Sequence, residues 1–275
     1  MVGISLHSVV PVRSEASEAG EQLTQMLFGE TCSILEECPR WKHVRLDGDG
    51  QEGWVDAKMI APMTDEEYRN YRVEYQEAAK VCLPMAYAVS ENNGQTIPLT
   101  AGTRLTNYEN GHFKLLGVDF RIDPNMVLTA PMKLNETNLL HTVRFFLNVP
   151  YLWGGKNSLG MDCSGFTQII LSLFGKTLLR NASEQATQGK CVDDLQQAQA
   201  GDLVFFDHEG LNDGVANPTH ISHVGILIDP TRVIHCSGRV KVEKIDAKGI
   251  LSVEQADETH PQGQYTHHLA VIRRV

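Results

Sequence analysis

No run of this sequence approaches the ~18 consecutive apolar residues that a membrane-crossing helix needs. The opening Met-Val-Gly-Ile-Ser-Leu-His-Ser-Val-Val has neither the basic start nor the long apolar stretch of a secretory leader. As it stands the chain is expected to be cytoplasmic, although a secreted protein freed of its leader would read the same way. Basic charge is scarce: Lys and Arg number 24 against 34 Asp and Glu, a net charge of −10. That balance argues against a general affinity for nucleic acid or an anionic membrane, so neither is expected as a partner. A monomer is the expectation, on no feature that fixes the oligomeric state. Cysteine is sparse and irregular. Cys32, Cys38, Cys82, Cys163, Cys191 and Cys236 lack the dense spacing of a disulfide scaffold, in a chain of 275 residues that can build a core without staples. Reduced thiols are expected. Cys-x-x-Cys and His-Glu-x-x-His are both absent, and no Gly-Lys-Ser/Thr element follows Gly154-Gly155, which removes a phosphate loop. His208, His220, His223, His235, Cys191 and Cys236 do crowd one stretch. His220 and His223 are three apart, however, and on a strand that turns them to opposite faces, so no metal and no cofactor is expected.

What is present divides the chain. Residues 9–13, 24–28, 31–36, 41–46 and 53–55 read as short strands of a small all-β module, with a hairpin at Asp47-Gly-Asp-Gly50 where tight turns need positive φ. Thr64-Asp-Glu-Glu opens a charged connecting helix, its acidic residues suited to the positive end of the helix dipole. A second β-like block runs from about 81 to 127. It reads as a degenerate copy of the first: Phe28-Gly-Glu-Thr-Cys-Ser-Ile-Leu-Glu-Glu, then Trp41, aligns with Ala101-Gly-Thr-Arg-Leu-Thr-Asn-Tyr-Glu-Asn, then Phe113. One continuous β domain is the alternative. From Asn135 the apolar period becomes helical, at Leu139, Leu140, Val143, Phe146 and Leu147, and a second helix carries Phe166, Ile169, Ile170, Leu173 and Phe174 before Gly175 stops it. Strands at 203–206, 222–228, 232–236 and 269–272 follow, an α+β order. The expected division is 1–63 and 81–134 as two small β barrels, 64–80 as a helical linker and 135–275 as the main domain.

Cys163 stands at the first turn of that second helix, in Asp162-Cys-Ser-Gly165, and His223 and His235 lie on two later strands joined by Asp229-Pro-Thr231. A thiol becomes a nucleophile when a helix N-terminus and an imidazole pull its pKa from ~8.5 into the range of about 3.5–7.5. If the two strands pair so that Gly225 opposes His235, the imidazoles are diagonal neighbours on one face at roughly 7–8 Å or less between Cβ atoms. A slip of one residue would separate them. Cys163 is then the nucleophile, His223 its imidazolium partner and later the acid for the leaving amine, and His235 the orienter of His223. The Cys163 backbone N–H and the Tyr151 hydroxyl are candidate oxyanion donors. Ser183, with Arg180 and Gln185, could bind a substrate carboxylate or merely cap a helix.

Tyr151-x-Trp-Gly-Gly155, Asp162-Cys-Ser-Gly165, Gly201-Asp-Leu-Val-Phe-Phe206, His223-Val-Gly-Ile226 and Val233-Ile-His235 resemble the NlpC-type murein peptidases, papain-like cysteine enzymes that cut cell-wall peptides at γ-D-glutamyl bonds. The front half, through 24–30 and Gly53-Trp-Val55, resembles the bacterial SH3-like modules of the dipeptidyl-peptidase VI-like branch. The resemblance implies a papain-like domain after two SH3-like barrels, with Cys163, His223 and His235 as triad and Tyr151 beside the thiol. It implies hydrolysis of L-Ala-γ-D-Glu-L-diaminopimelate or -lysine peptides bearing a free N-terminal L-Ala, with murein peptide as the partner and Trp153 and Ser164 among the residues that meet it. A desolvated ammonium needs carboxylates, and Asp162 and Glu30 are the candidates. Gln51 stands near the position where related enzymes can carry a tyrosine, a departure at the amine end. A non-catalytic wall-binding adapter, or a papain-like amidase or acyltransferase on a non-wall amide, are the alternatives.

Overall fold

A computed structural model describes residues 1–207 and 220–275. They form two compact units, Met1–Met132 with Leu152–Gly160, and Lys133–Tyr151 with Met161–Val275.

In the first unit β1 (Val2–Ser5), β2 (Val9–Arg13), β3 (Gln22–Leu27), β4 (Thr31–Glu37), β5 (Trp41–Leu46), β6 (Glu52–Asp56) and β7 (Ile60–Met63) form one sheet in the order β3-β2-β6-β5-β4-β1-β7. Alternation along these strands buries one set of side chains, and Val10, Val12, Cys32, Val44, Leu46 and Val55 pack as a cluster. The hairpin at 47–50 is present. Leu46 N donates to Gln51 O at 2.9 Å and Gly50 N to Leu46 O at 3.0 Å, with Gly50 at φ +78°.

Helix α1 (Asp65–Gln76) begins with a capping box: Glu67 N donates to Thr64 Oγ1 at 3.2 Å and Thr64 N to Glu67 Oε2 at 2.8 Å. It does more than connect. Tyr71 is buried, with its hydroxyl on Gly29 O at 2.7 Å, and Tyr68 and Tyr75 pack into the same core.

The second β block contains β8 (Ala79–Val81), β9 (Met85–Ser90), β10 (Thr96–Thr100), β11 (Arg104–Leu105), β12 (His112–Leu115), β13 (Val118–Arg121) and β14 (Val127–Leu128). They form a four-stranded sheet, β10-β9-β13-β12, and a three-stranded one, β11-β8-β14. Echoes of the first block are structural as well as sequential. Gly29 and Gly102 both take positive φ, and Glu30 N to Leu27 O matches Thr103 N to Thr100 O, each 3.1 Å. Asp56 caps the 3-10 turn Ala57–Met59 before β7 as Asp123 caps Pro124–Met126 before β14.

The blocks nevertheless share one core. Ile4, Phe28, Met63 and Tyr71 pack with Val81, Leu99, Leu105, Phe113 and Phe120, and Phe28 meets Phe120 edge-on at 5.7 Å. The stretches 1–63, 64–80 and 81–132 therefore lie in one compact unit, while residues 133 and 134 fall to the second; a β module of about 60 residues buries too little surface to be more than marginal alone. Residues 152–160, with β15 (Lys156–Asn157), also belong to this unit, tied by Gln25, whose side-chain oxygen accepts Lys156 N at 2.8 Å and Asn157 Nδ2 at 2.7 Å.

The second unit opens with α2 (Glu136–Val143), whose N-cap Asn135 accepts Asn138 N at 2.9 Å. Then come β16 (Gly160–Met161), α3 (Cys163–Ser172), the one-turn α4 (Ala182–Gln185), β17 (Lys190–Val192), β18 (Leu203–Asp207), β19 (His223–Asp229), β20 (Arg232–Ser237), β21 (Arg239–Asp246), β22 (Gly249–Ser252) and β23 (Gln264–Arg274). The strand order is β17-β23-β18-β19-β20-β21-β22, and β22 also pairs with β23, so six strands close on themselves. Helix α3 is buried from Cys163 to Leu171, polar Ser164, Thr167 and Gln168 included, and packs on β19 and β20. Gly175, at φ +79°, ends it, with Lys176 N returning to Leu171 O at 3.0 Å. Helix-then-sheet order makes the unit α+β.

Candidate active site

Strands β19 and β20 pair with Gly225 opposite His235. This is the register that puts His223 and His235 on one face, and His223 Nε2 lies 2.8 Å from His235 Nδ1. Gly225 is needed there: a Cβ at this position would stand 2.6 Å from Val233 Cγ2 and 3.1 Å from His235 Cβ. Both histidines are buried, at 4% and 0% exposure.

Cys163 is the first residue of α3. The N-cap Asp162 accepts Gly165 N at 2.7 Å, which orients the first turn and its backbone N–H groups. The Cys163 sulfur accepts the backbone N–H of Val224, the residue after His223, and that of Ser164. Burial raises the thiol to about 12, with the Asp162 charge adding to the rise, while those N–H groups and Arg180 pull the other way. Burial thus opposes the helix terminus at this thiol, which makes the imidazole the group that must favour its ionisation. The Tyr151 hydroxyl is raised above its ordinary value too, by burial first and then by the negative forms of Cys163 and Asp162.

Asp162 and Ser164 meet a buried arginine. Arg180, 1% exposed, donates from Nη2 to Asp162 Oδ2 at 2.5 Å and from Nη1 to Asp162 Oδ1 at 3.1 Å and Ser164 Oγ at 2.7 Å. Gln185 Nε2 donates to Ser164 O at 3.1 Å and its Oε1 accepts Thr167 Oγ1 at 2.8 Å. Of the expected cluster of Arg180, Ser183 and Gln185, only Ser183 turns outward. It is exposed on α4, whose buried positions are Ala182 and Gln185.

Glu30 and Trp153 belong to the first unit. Glu30 Oε2 accepts Leu27 N at 2.9 Å, and Lys156 Nζ sits 3.0 and 3.1 Å from its two oxygens. Trp153, 59% exposed, donates its indole N–H to Glu21 Oε1 at 2.6 Å. Each carboxylate expected to hold a substrate ammonium, Glu30 and Asp162, therefore already faces a cation of its own unit.

Two residues that motif reading passed over complete the second unit's site. Glu243 on β21 lies behind His235, Oε2 to Nε2 2.9 Å, and His267 on β23 stacks on His223 with ring centroids 4.3 Å apart and planes 34° from parallel. Both are buried. Among the described residues no group of three or more His, Cys, Asp or Glu is arranged to hold a metal ion, and His208 lies outside those residues. His220 is exposed and precedes β19.

A nucleophile at a helix start with an imidazole pair beside it is a site for acyl transfer through a thioester. The comparisons agree with that chemistry. Residues 148–268 match the NlpC/P60 family, and residues 12–60 match the bacterial dipeptidyl-peptidase SH3 domain. A γ-D-glutamyl-L-lysine dipeptidyl-peptidase of Bacillus subtilis is 31% identical over 224 residues, 77% of this chain and 71% of that protein. One of Bacillus cereus is 25% identical over 241 residues, 80% of this chain and 68% of that protein. Among solved structures, an NlpC/P60 family protein from Bacillus cereus has the same fold, with a TM-score of 0.76 at 19% identity over 100% of this chain and 99% of that one. The site, the fold and an alignment that runs through most of both chains lead to one conclusion: this chain belongs to the NlpC/P60 family of cysteine peptidases.

Proposed function

We propose that this peptidase hydrolyses the amide between γ-D-glutamate and the following L-diamino acid, lysine or diaminopimelate, in murein peptides with a free N-terminal L-Ala, releasing L-Ala-D-Glu. The observation that carries the reading is Cys163 at the start of α3, with its sulfur at the backbone N–H of the residue after His223 and His223 itself bonded to His235. The names of the two Bacillus relatives support the bond assigned. The Cys163 proton passes to His223 as sulfur attacks the γ-carbonyl carbon, and the oxyanion forms against the Cys163 N–H and the Tyr151 hydroxyl. His223 then protonates the departing amine as the C–N bond breaks, leaving a γ-glutamyl thioester. Water, deprotonated by His223, attacks the thioester, and the thiol and the dipeptide carboxylate are restored. We place this reaction on released wall fragments in the cytoplasm, as a recycling step.

The test is turnover of L-Ala-γ-D-Glu-L-Lys and its diaminopimelate counterpart beside their N-acetylated forms and an unrelated γ-glutamyl amide. Release of L-Ala-D-Glu from the free-amine peptides alone is expected, and Cys163→Ser abolishes it. Binding without turnover would overturn the reading in favour of a wall-binding adapter. Turnover of the unrelated amide alone would overturn it in favour of an amidase or acyltransferase.

A further inference from the structure

A histidine pair can relay orientation only if its protons are placed, and the pair alone does not place them. Two tautomer arrangements satisfy the 2.8 Å contact between His223 Nε2 and His235 Nδ1. In one, His223 carries its proton on Nε2, which leaves Nδ1 bare and able to take the thiol proton. In the other, His235 donates from Nδ1, His223 Nε2 is the acceptor, and Nδ1 already holds a proton. The second arrangement is useless as a base.

The structure assigns the choice to Glu243. We propose that this carboxylate is a positioning residue for the peptidase reaction: it accepts the Nε2–H of His235, keeps Nδ1 of that ring bare, and so fixes the proton of His223 on Nε2 and the lone pair on Nδ1. An ionised carboxylate has no proton to give, and its Oε2 stands 2.9 Å from His235 Nε2. Lys241 Nζ lies 3.1 Å from the same oxygen, and Glu254 lies 3.3 Å from Lys241, so the charge behind His235 is held in a chain of alternating sign. The titratable groups facing the pair are Cys163 on α3, Lys241 and Glu243 on β21 and His267 on β23, and the Glu254 charge beyond Lys241 also acts on His235. Burial would raise the Glu243 carboxyl, but its interactions with His235, Ser252 and Lys241, in that order, outweigh it and hold it at about 2. His235 is lowered by burial, which the carboxylate only partly offsets, so that ring stays neutral.

The role also supplies what a neutral orienter lacks. When Cys163 gives up its proton, no proton moves beyond His223 Nδ1. The imidazolium formed there donates from Nε2 to His235, and one ring further on stands a fixed negative charge. The arrangement is a carboxylate acting through a second imidazole, with the same division of labour as the acid of a Ser-His-Asp triad.

The inference rests on the peptidase reading, and its test has two readouts that do not need a substrate. In the wild-type protein, imidazole 15N NMR is expected to show Nε2 protonated and Nδ1 bare in both His223 and His235; the opposite tautomer of either ring overturns the proposal. In Glu243→Gln, whose amide can turn its NH2 toward His235 and invert both rings, the rate of Cys163 alkylation at neutral pH, followed by peptide mass spectrometry, should fall about 10–100-fold, the scale seen when a metal-ligating histidine loses its outer carboxylate. On the tripeptide, kcat should fall by a similar factor with KM within about twofold, and the acidic limb of the pH profile should move. Glu243→Asp should recover part of the loss. Because Glu243→Gln leaves Lys241 half-paired, Glu243→Gln/Lys241→Met separates folding from orientation. Wild-type alkylation in that double variant, or in Glu243→Gln at unchanged melting temperature, overturns the role. If no peptide is cleaved by wild type but NMR and alkylation behave as stated, the substrate reading fails and Glu243 keeps its place.

Discussion

Replacing Arg180 by methionine should damage the second unit far more than its distance from any reacting bond suggests. The guanidinium is 1% exposed and binds both oxygens of Asp162, itself 5% exposed, as well as Ser164 Oγ. Arg180→Met fills similar volume but leaves a carboxylate in the interior without its cation, a change that costs about 3–5 kcal/mol. At roughly 2–4 °C per kcal/mol for a protein of this size class, the melting transition should fall by roughly 6–20 °C. Asp162→Asn alone should do comparable harm, since it strands the arginine. The double variant, Asp162→Asn with Arg180→Met, should regain most of the loss: both charges are gone, and asparagine caps a helix as well as aspartate does. Trp41, Trp54 and Trp153 all lie in the first unit, so tryptophan fluorescence is the wrong probe. Amide hydrogen exchange over 163–172 reads α3 directly. If the double variant is as unstable as the two singles added together, to within ~0.5 kcal/mol, the pair is not coupled and the reasoning is refuted.

Gly225→Ala should cost about 1–3 kcal/mol and lower kcat at least tenfold, because the new methyl group collides with Val233 and displaces His235; unchanged steady-state kinetics would contradict this. His267→Ala should lower kcat about tenfold or more by freeing the His223 ring, whereas His267→Phe should retain most activity by preserving the stack; equal losses in the two variants would deny the stack a role. Cys32 is raised to about 12, by burial first, against an ordinary value of 9.0. The unfolded thiol therefore releases its proton before the folded one, so its contribution is intact below pH 9 and is lost as pH rises toward 12, at about 1.4 kcal/mol per pH unit. Urea titrations from pH 8 to 11 should show a shallower decline in Cys32→Ala. Glu243, held at about 2 against 4.5, works in the other direction: its contribution is intact above about pH 4.5 and is lost as pH falls to 2. Glu243→Gln should remove about 3 kcal/mol of acid sensitivity in that window.

Residues whose environment is set by their own segment were legible in the sequence. Asp162-Cys-Ser-Gly165 before an apolar run announces a capped helix with a thiol in its first turn, and Asp229-Pro-Thr231 between two strands announces a hairpin; the turn alone does not fix the register, since Asp229 opposes Arg232 and an irregularity between Leu227 and Asp229 brings Gly225 opposite His235. The features passed over are set by long-range pairing. Glu243 lies in a charged stretch that reads as a solvated strand, and only the pairing of His235 with Lys241 turns alternate residues of β21 inward. His267 and His268 are adjacent and chemically identical in sequence; the contacts of β23 with both β18 and β22 decide that His267 is the buried one. Lys156 carries no motif, and its pairing with Glu30 spans 126 positions. The second half of the β repeat, Asp56-Ala-Lys-Met-Ile60 against Asp123-Pro-Asn-Met-Val127, could have been found by the spacing of its capping aspartates.

The electrostatics of the second unit explain how a buried thiol can serve a peptidase. The charges named beside the nucleophile are matched: Asp162 by Arg180, Glu243 by Lys241. With those charges paired, burial is the largest influence on Cys163, and it favours the neutral form. A thiol that burial disfavours as a lone anion needs a base ready to take its proton as the carbonyl approaches. That requires an imidazole whose lone pair is already aimed, since reorienting a ring during attack would add to the barrier. The hydrogen bonds from His223 to His235 to Glu243, with His267 against the ring face, restrain that imidazole from two sides. The same low-dielectric surroundings that raise the thiol then strengthen the attraction between the new thiolate and the new imidazolium. Burial thus disfavours the lone anion and favours the pair, which is why the thiol and its base have to be supplied together, one by a helix end and the other by the sheet packed against it.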